Sequence, residues 1–475
     1  MSPRLHDAAG GFFLFVRPRG GRVDVAKLQR ETYDTIVASS DAPFVIERPP
    51  LFSPAAAAQD EVNGKGGLHQ WAAMFLPVEF TNWVEESRAH VESCYVGDWS
   101  ALAKVTVSGP DAHAFLSQLG FADLSAFEPG QLKHHVQLDE NGWVASEGVV
   151  GRVGDEEFFY TAGSCEWLVW RFEQDNWNAE VRDVTPDRFI IGVQGPTSLH
   201  TLEKATGGSL RDLPFSRFRT TQIGGIEMLI LRTGISGELG YELHGPSGHA
   251  NEIWRTLREQ GEEFGIKQLG GRSQSVQHIE AGIATNGLDY MPASAITPGA
   301  PRLFRRRTVG GSFVPSAFTD FFRKPGELGW GRKDGAVPAH QFLGRDALLA
   351  DADAGGPSRT LAGLIWNHDD VADVLSSVVG SGEIPDQMDL PRRLGPAFDQ
   401  ILANGDPAGI SSGRTLSSNL RATISLAVLD RSVASPGTQT TVVWGRPGTS
   451  QRQIRATVVD LPFKTDRRRA DVSRL

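Results

Sequence analysis

A change of pattern at residues 351–360, "DADAGGPSRT", divides this chain and narrows the folds open to it. Beyond it come "TLAGLIW", "ATISLAVLD", "TQTTVVWG" and "RQIRATVVDLPF". These are short apolar runs rich in β-branched residues and separated by Gly, Pro and Asp turns, which predicts a small β-barrel or sandwich over 360–475. Upstream the pattern is mixed. "ALAKVTVSG" alternates apolar and polar residues like a strand, and "EEFFYTAG" and "IEMLILRTG" read as buried strands. "PDAHAFLSQL" has proline in its first turn and apolar residues at helical spacing, and "SGHANEIWRTLREQGEEFG" reads as an amphipathic helix ended by glycine. The expected class is α+β, with two α+β subdomains over 61–350. Residues 1–60 read as an N-terminal extension, leading through the Pro/Ala/Gly-rich connector "PPLFSPAAAAQDEVNGKGG".

The formal net charge of −10 argues against nucleic acid and anionic membranes as partners. No stretch approaches the ~20 apolar residues of a membrane span. The N-terminal run "GFFLFV" lacks a lysine-rich start and a small-residue cleavage site, so no signal peptide is read. The two cysteines, Cys94 and Cys165, are too few for a disulfide framework or a thiolate zinc site, and a reducing cytoplasm is the expected compartment. His134 and His135 adjoin in a strand and point to opposite faces, and no metal is expected. "TGISGELGYELHGP", residues 233–246, spaces its glycines as G-x-x-G-x-x-G. That is neither a dinucleotide fingerprint nor a phosphate loop.

Seven blocks in order resemble the aminomethyltransferase (glycine-cleavage T-protein) superfamily, across about residues 65–465. They are "GDWSALAKVTVSGPDAHAFLSQL", "FEPGQLKHHVQLDENGWV", "IGVQGPTS", "LRTGISGELGYELHGP", "GGRSQSVQHIEAGI", "FLGRDAL" and "VVDLPF". "FTNW", "GGSFVPSAFTDFFRKPGELGWG" and "VVWG" are more similar to the tetrahydrofolate-dependent aromatic O-demethylases of the vanillate, syringate and dicamba type. The resemblance implies a T-protein-like folate-binding fold with a C-terminal β-barrel domain. It also implies transfer of a methyl group from a methoxylated aromatic acid to N5 of tetrahydrofolate without a metal, by a monomer or small homo-oligomer. Dimethylsulfoniopropionate demethylation, aminomethyl transfer and non-catalytic folate binding are the alternatives on this fold. Where the T-protein carries its key aspartate this chain has Ser146, followed by Glu147, which counts against aminomethyl transfer. The folate-binding group of iron–sulfur assembly carries a K-G-C-x-x-G-Q-E motif that does not occur here.

Residue by residue, the resemblance makes Glu242 the acceptor for the 2-amino group and ring N3–H of the pterin, a bidentate geometry that suits a carboxylate. Gln194, Thr161 and Tyr241 are further cofactor candidates. Strand alternation puts Tyr241 and Glu242 on opposite faces, which favours Glu242. Trp71, Asp98, Arg272 and Gln274 are the substrate-side candidates, with Asp98 and Trp99 matching the family's active-site entry turn. Gln274 stands where vanillate-type enzymes have a tyrosine. The departing phenolate needs a proton or donor. His278, one turn beyond Gln274, is the candidate, with His69 and His135 as rivals. "FRRRT", residues 304–308, reads as a solvated charge run that could attract a polyglutamate tail.

Overall fold

A six-stranded sheet, a five-stranded sheet and a closed six-stranded barrel carry the chain. The computed structural model describes residues 52–72, 74–300, 309–331, 335–391 and 395–475, with a few helical residues between 26 and 34. Met1–Pro50 and Leu51–Leu475 are separate units, and the description below concerns the second. "FRRRT" and the start of the N-terminal extension lie outside the described residues.

The first sheet runs Phe218–Ile223, Ile226–Leu231, Gly240–Pro246, Arg188–Gln194, Tyr95–Asp98 and Lys267–Leu269. Its neighbours are antiparallel except the last pair, which is parallel. One face buries Phe189, Ile191, Val193, Tyr241 and Leu243 against Ile253, Trp254 and Leu257 of helix Ala250–Gly261. The second sheet runs Leu132–Leu138, Val144–Arg152, Glu157–Ala162, Ala103–Ser108 and Glu180–Asp183. Val105, Val107, Phe158 and Tyr160 pack from it onto helices Ala112–Leu119 and Glu166–Phe172. The opposite faces of the two sheets meet through Phe159, whose ring lies 5.3 Å from Phe218 and 5.8 Å from His244.

The four C-terminal runs form strands Arg359–Trp366, Ala422–Asp430, Gln439–Trp444 and Arg452–Val459. The barrel closes because Arg359–Trp366 pairs with both Ala422–Asp430 and Arg452–Val459. Two further strands, Asp399–Ala403 and Asp406–Ser417, complete it. "DPAGISSGRTLS" hides the longer one, because its small polar residues read as loop and a register shift between Ser411 and Arg414 breaks the period-two pattern.

The stretch read as a connector is built into the unit. Helix Ala56–Asp60 follows Ala55, and Ala55 and Ala58 are fully buried in the first core. The Ala58 N–H donates to Asn251 Oδ1 at 2.9 Å. Alanine-rich text reads as a linker, yet its small side chains are what let this helix lie close to Ala250–Gly261. Helix Gly271–Glu280 is held by two buried carboxylates. Glu86 accepts from the N–H groups of Phe80, Thr81 and Gly270 at 2.7–2.8 Å. Glu280 meets His90 at 2.9 Å, Ser417 Oγ at 2.6 Å and Asn419 Nδ2 at 3.1 Å, tying the helix to the barrel. No helix among the described residues is long and apolar enough to cross a membrane.

Candidate functional site

The glycines of "TGISGELGYELHGP" make room for Gln194. A Cβ on Gly234 would lie 2.4 Å from Gln194 Oε1, and one on Gly240 2.5 Å from its Cγ. The Gln194 side chain therefore crosses under the loop, where its Oε1 accepts the Ser236 N–H at 3.1 Å. The loop is also held from the far end of the chain. Lys464 Nζ lies 2.6 Å from buried Glu238, with Arg467 at 4.0 Å. Arg232 donates to the carbonyls of Leu213 and Ala470.

Beyond the loop, alternation separates neighbours. Tyr241 is fully buried in the apolar core, so it is corrected from a cofactor contact to a core residue: its face packs on helices. Glu242 faces the other way, 17% exposed, and His244 on the same face lies 3.2 Å from its Oε2. The cross-strand partner of Glu242 is Gly192, and Gln194 and Tyr95 pair one step along the same face. Thr161 shares its strand face with Phe159 and looks into the same space between the sheets.

Around Glu242 collect buried polar atoms that make no hydrogen bond. They are Gln194 Nε2, Thr161 Oγ1, Tyr95 Oη, Trp99 Nε1 and both amide atoms of Gln277. Tyr95 lies beside Gln277 and Ser236 without ordinary hydrogen-bond geometry, and burial, then the Glu242 charge, holds its phenol well above the usual tyrosine range. Buried polar groups are normally satisfied, so such a cluster marks where a polar ligand belongs.

The substrate-side candidates gather at the neighbouring strand end. Trp71, in strand Leu68–Trp71, sets its ring edge-on to Trp99 at 5.7 Å. Gln274 donates its amide N–H to the Asp98 carbonyl at 3.3 Å and keeps a buried Oε1 without a partner. Asp98 serves a structural purpose: its carboxylate accepts from Ser53 Oγ, Gln59 Nε2 and the Ser100 N–H. The Arg272 guanidinium is committed as well. It donates to the Pro391 carbonyl at 2.9 Å, lies 3.5 Å from Glu79 and covers the Trp83 ring.

His278 turns toward the barrel. Its Nε2 is 3.7 Å from Asp289 Oδ2, and it lines a cavity of about 50 Å³ with Ser275, Leu288, Leu390, Ser412 and Arg414. His135 is satisfied in the core, bonded to the Leu116 carbonyl at 2.9 Å and to Gln137 Nε2 at 3.2 Å, and burial pushes it down to about 4. It stays neutral as a structural residue. His69 packs on Gly271 at the start of the helix that carries Gln274. Ser146 Oγ donates to the Ser164 carbonyl at 3.3 Å, and Glu147 meets His134 at 2.9 Å. Both cysteines are buried and free. Among the described residues, no group of three or more His, Cys, Asp or Glu side chains is placed to hold a metal.

Three residues of this polar cluster escaped the sequence reading: Tyr95, Gln277 and His244. His244 was within reach, because it is two residues from Glu242 on the same strand face. Gln277 lies one turn from Gln274, a spacing that signals a shared helix face. Tyr95 carried no signal in the sequence, because its role comes from pairing with Gln194.

Comparison with known proteins agrees with this architecture. The sesamin methylene transferase of a Sinomonas species is 34% identical over 82% of this chain and 90% of its own length. The syringate O-demethylase of Sphingobium strain SYK-6 is 27% identical over 82% of this chain and 90% of its own. The aminomethyltransferase T of the glycine cleavage system from Bartonella henselae shares the fold, with a TM-score of 0.65 at 20% identity over 87% of this chain and 98% of that one. The GCVT N-terminal domain matches residues 58–298, which hold both sheets and every residue of the polar cluster. The chain belongs to the GCVT family.

Proposed function

We propose that this protein is a tetrahydrofolate-dependent O-demethylase that moves a methyl group from a methoxylated aromatic carboxylic acid to N5 of tetrahydrofolate, leaving a phenol. The observation that carries the reading is Glu242 amid buried polar atoms without partners. A carboxylate takes the paired N–H groups of a pterin, and nearby amide, hydroxyl and indole groups suit its remaining polar edge. The syringate O-demethylase and the sesamin methylene transferase among its relatives support one-carbon transfer from an aromatic ether.

Tetrahydrofolate supplies the accepting nitrogen. Glu242 and Gln194 hold it by its ring edge, while Trp71 and Trp99 offer apolar walls to the arene. The transfer is an in-line displacement, so these residues act mainly by alignment. His278, the donor expected from the sequence, faces Asp289 and the barrel, so the proton for the leaving oxygen is not assigned to it. Ser146 supplies no carboxylate where aminomethyl transfer would use one.

A second reading, transfer of a methylene group from a methylenedioxyarene, is favoured by the 34% identical relative. Incubation of the protein and tetrahydrofolate with syringate, vanillate or sesamin separates the two by product. A methoxybenzoate should yield 5-methyltetrahydrofolate and a phenol. Formation of 5,10-methylenetetrahydrofolate from sesamin alone would move the assignment to methylene transfer, and no turnover with any of the three would overturn both.

A further inference from the structure

We propose that Trp99 is a specificity residue: its indole N–H donates to the 4-oxo group of the pterin and rejects a 4-amino ring. This rests on the reading of Glu242 as the pterin anchor and goes beyond it. Trp99 is 6% exposed, and its Nε1 is buried without a hydrogen bond. The position of that nitrogen follows from Gly192. A Cβ there would lie 2.3 Å from Trp99 Nε1, so the nitrogen occupies the space directly above residue 192. Gly192 is the cross-strand partner of Glu242. Paired residues project from the same face about 5 Å apart. An indole donor and a carboxylate therefore stand side by side on one sheet face.

The indole is fixed where it stands. The Trp99 backbone N–H bonds to the Ile190 carbonyl at 2.9 Å. Trp71 packs edge-on against the ring. Lys104, buried in the adjoining strand, donates to the Ser100 and Leu102 carbonyls at 2.8 and 2.7 Å and holds the turn. An indole nitrogen donates only, so the face presents two carboxylate acceptors followed by one donor. The complementary ligand edge is donor, donor, acceptor, which a 2-amino-4-oxopyrimidine ring offers through its amino group, N3–H and carbonyl. Exchanging the carbonyl for an amino group sets a donor against the indole donor and also replaces N3–H by a lone pair facing the carboxylate. Trp99 and Glu242 therefore both oppose the 4-amino ring, and a site built around hydrogen bonds discriminates strongly against such a change.

The test compares dissociation constants of tetrahydrofolate and 4-amino-4-deoxytetrahydrofolate, with no turnover involved. Wild-type protein should favour the 4-oxo ligand by about tenfold or more, the scale of one buried hydrogen bond gained and one donor clash avoided. Trp99→Phe keeps a ring against Trp71 and should lower the ratio severalfold, chiefly by weakening tetrahydrofolate, while the preference that Glu242 exerts through N3–H remains. Gly192→Ala, which displaces the indole without removing it, should do the same and serves if Trp99→Phe does not fold. An unchanged ratio in the folded variants, or equal weakening of both ligands, overturns the role of Trp99. If Glu242→Gln leaves both affinities unaltered, the pterin assignment fails instead, so the two failures are distinguishable.

Discussion

Glu242 and Tyr241 are neighbours in the chain and lie on opposite sides of the sheet, so paired substitutions separate their roles. Glu242→Gln puts an amide N–H against the pterin's own donors. It should raise the dissociation constant for tetrahydrofolate about tenfold or more, given ~1.5–3 kcal/mol for a hydrogen bond to a charged group. Tyr241→Phe removes a buried hydroxyl that bonds to nothing. It should leave folate affinity unchanged and should not lower stability, because it removes a buried polar group that has no partner. Calorimetric titration and thermal melts of the two variants check both. A Glu242→Gln protein with wild-type affinity would remove the anchor. His278 is tested by kinetics: because it faces Asp289 and the barrel, His278→Ala should leave kcat and folate affinity near wild type, and a fall in kcat alone would return the donor role to it. Alternation along "GYELHGP" makes the opposition of Tyr241 and Glu242 legible in the sequence. The binding of Asp98 by Ser53 and Gln59 was not legible, because those partners lie 45 and 39 residues away. A lone carboxylate near a family motif reads the same whether it meets a ligand or the chain's own donors.

At the scale of elements, helix Gly271–Glu280 carries the substrate-side residues at one end and the tie to the barrel at the other. Burial alone would raise the Glu280 carboxyl, but the bonds from His90, Ser417 and Asn419 outweigh it and hold the group below its ordinary range. A carboxylate with a lowered folded value stabilises the fold above its unfolded value of about 4.3. That contribution is lost as pH falls through the folded value. Denaturant melts should therefore show stability falling below about pH 4.3, with a shallower fall in Glu280→Gln. At neutral pH the same substitution should cost about 1.5–3 kcal/mol, because it weakens the hydrogen bonds of a buried carboxylate. Equal acid slopes in the two proteins would place the lost charge elsewhere. The helix was legible through the family block and the spacing of Gln274 and His278, and four of the six barrel strands were legible because their apolar runs are continuous. Asp406–Ser417 was not, since Ser411, Ser412, Thr415 and Ser417 are buried polar side chains, three of them bonded to partners that only the folded chain brings near: Ser425, Asp289 and Glu280.

Across the whole of Leu51–Leu475, the chain past the barrel returns to the first sheet and holds the loop that precedes Glu242. Val472 is buried in the first core, Arg232 binds the Ala470 carbonyl, and Lys464 and Arg467 meet Glu238 within that loop. The barrel thus reaches the loop before Glu242 through its trailing segment. Removing one partner of a buried pair leaves a charge uncompensated at about 3–5 kcal/mol, more than the pair itself contributes. Lys464→Ala should therefore lower the melting temperature and weaken tetrahydrofolate binding together, because Glu238 is then left with Arg467 at 4.0 Å. Adding Glu238→Gln to Lys464→Ala removes the stranded charge and should recover much of the stability, as coupled neighbours do in a double-mutant cycle. Folate affinity should recover less, since the loop has lost its tether to the tail and Ser236 no longer holds Gln194 in place. Recovery of both quantities to the same extent would mean that the tail stabilises the fold without positioning the site.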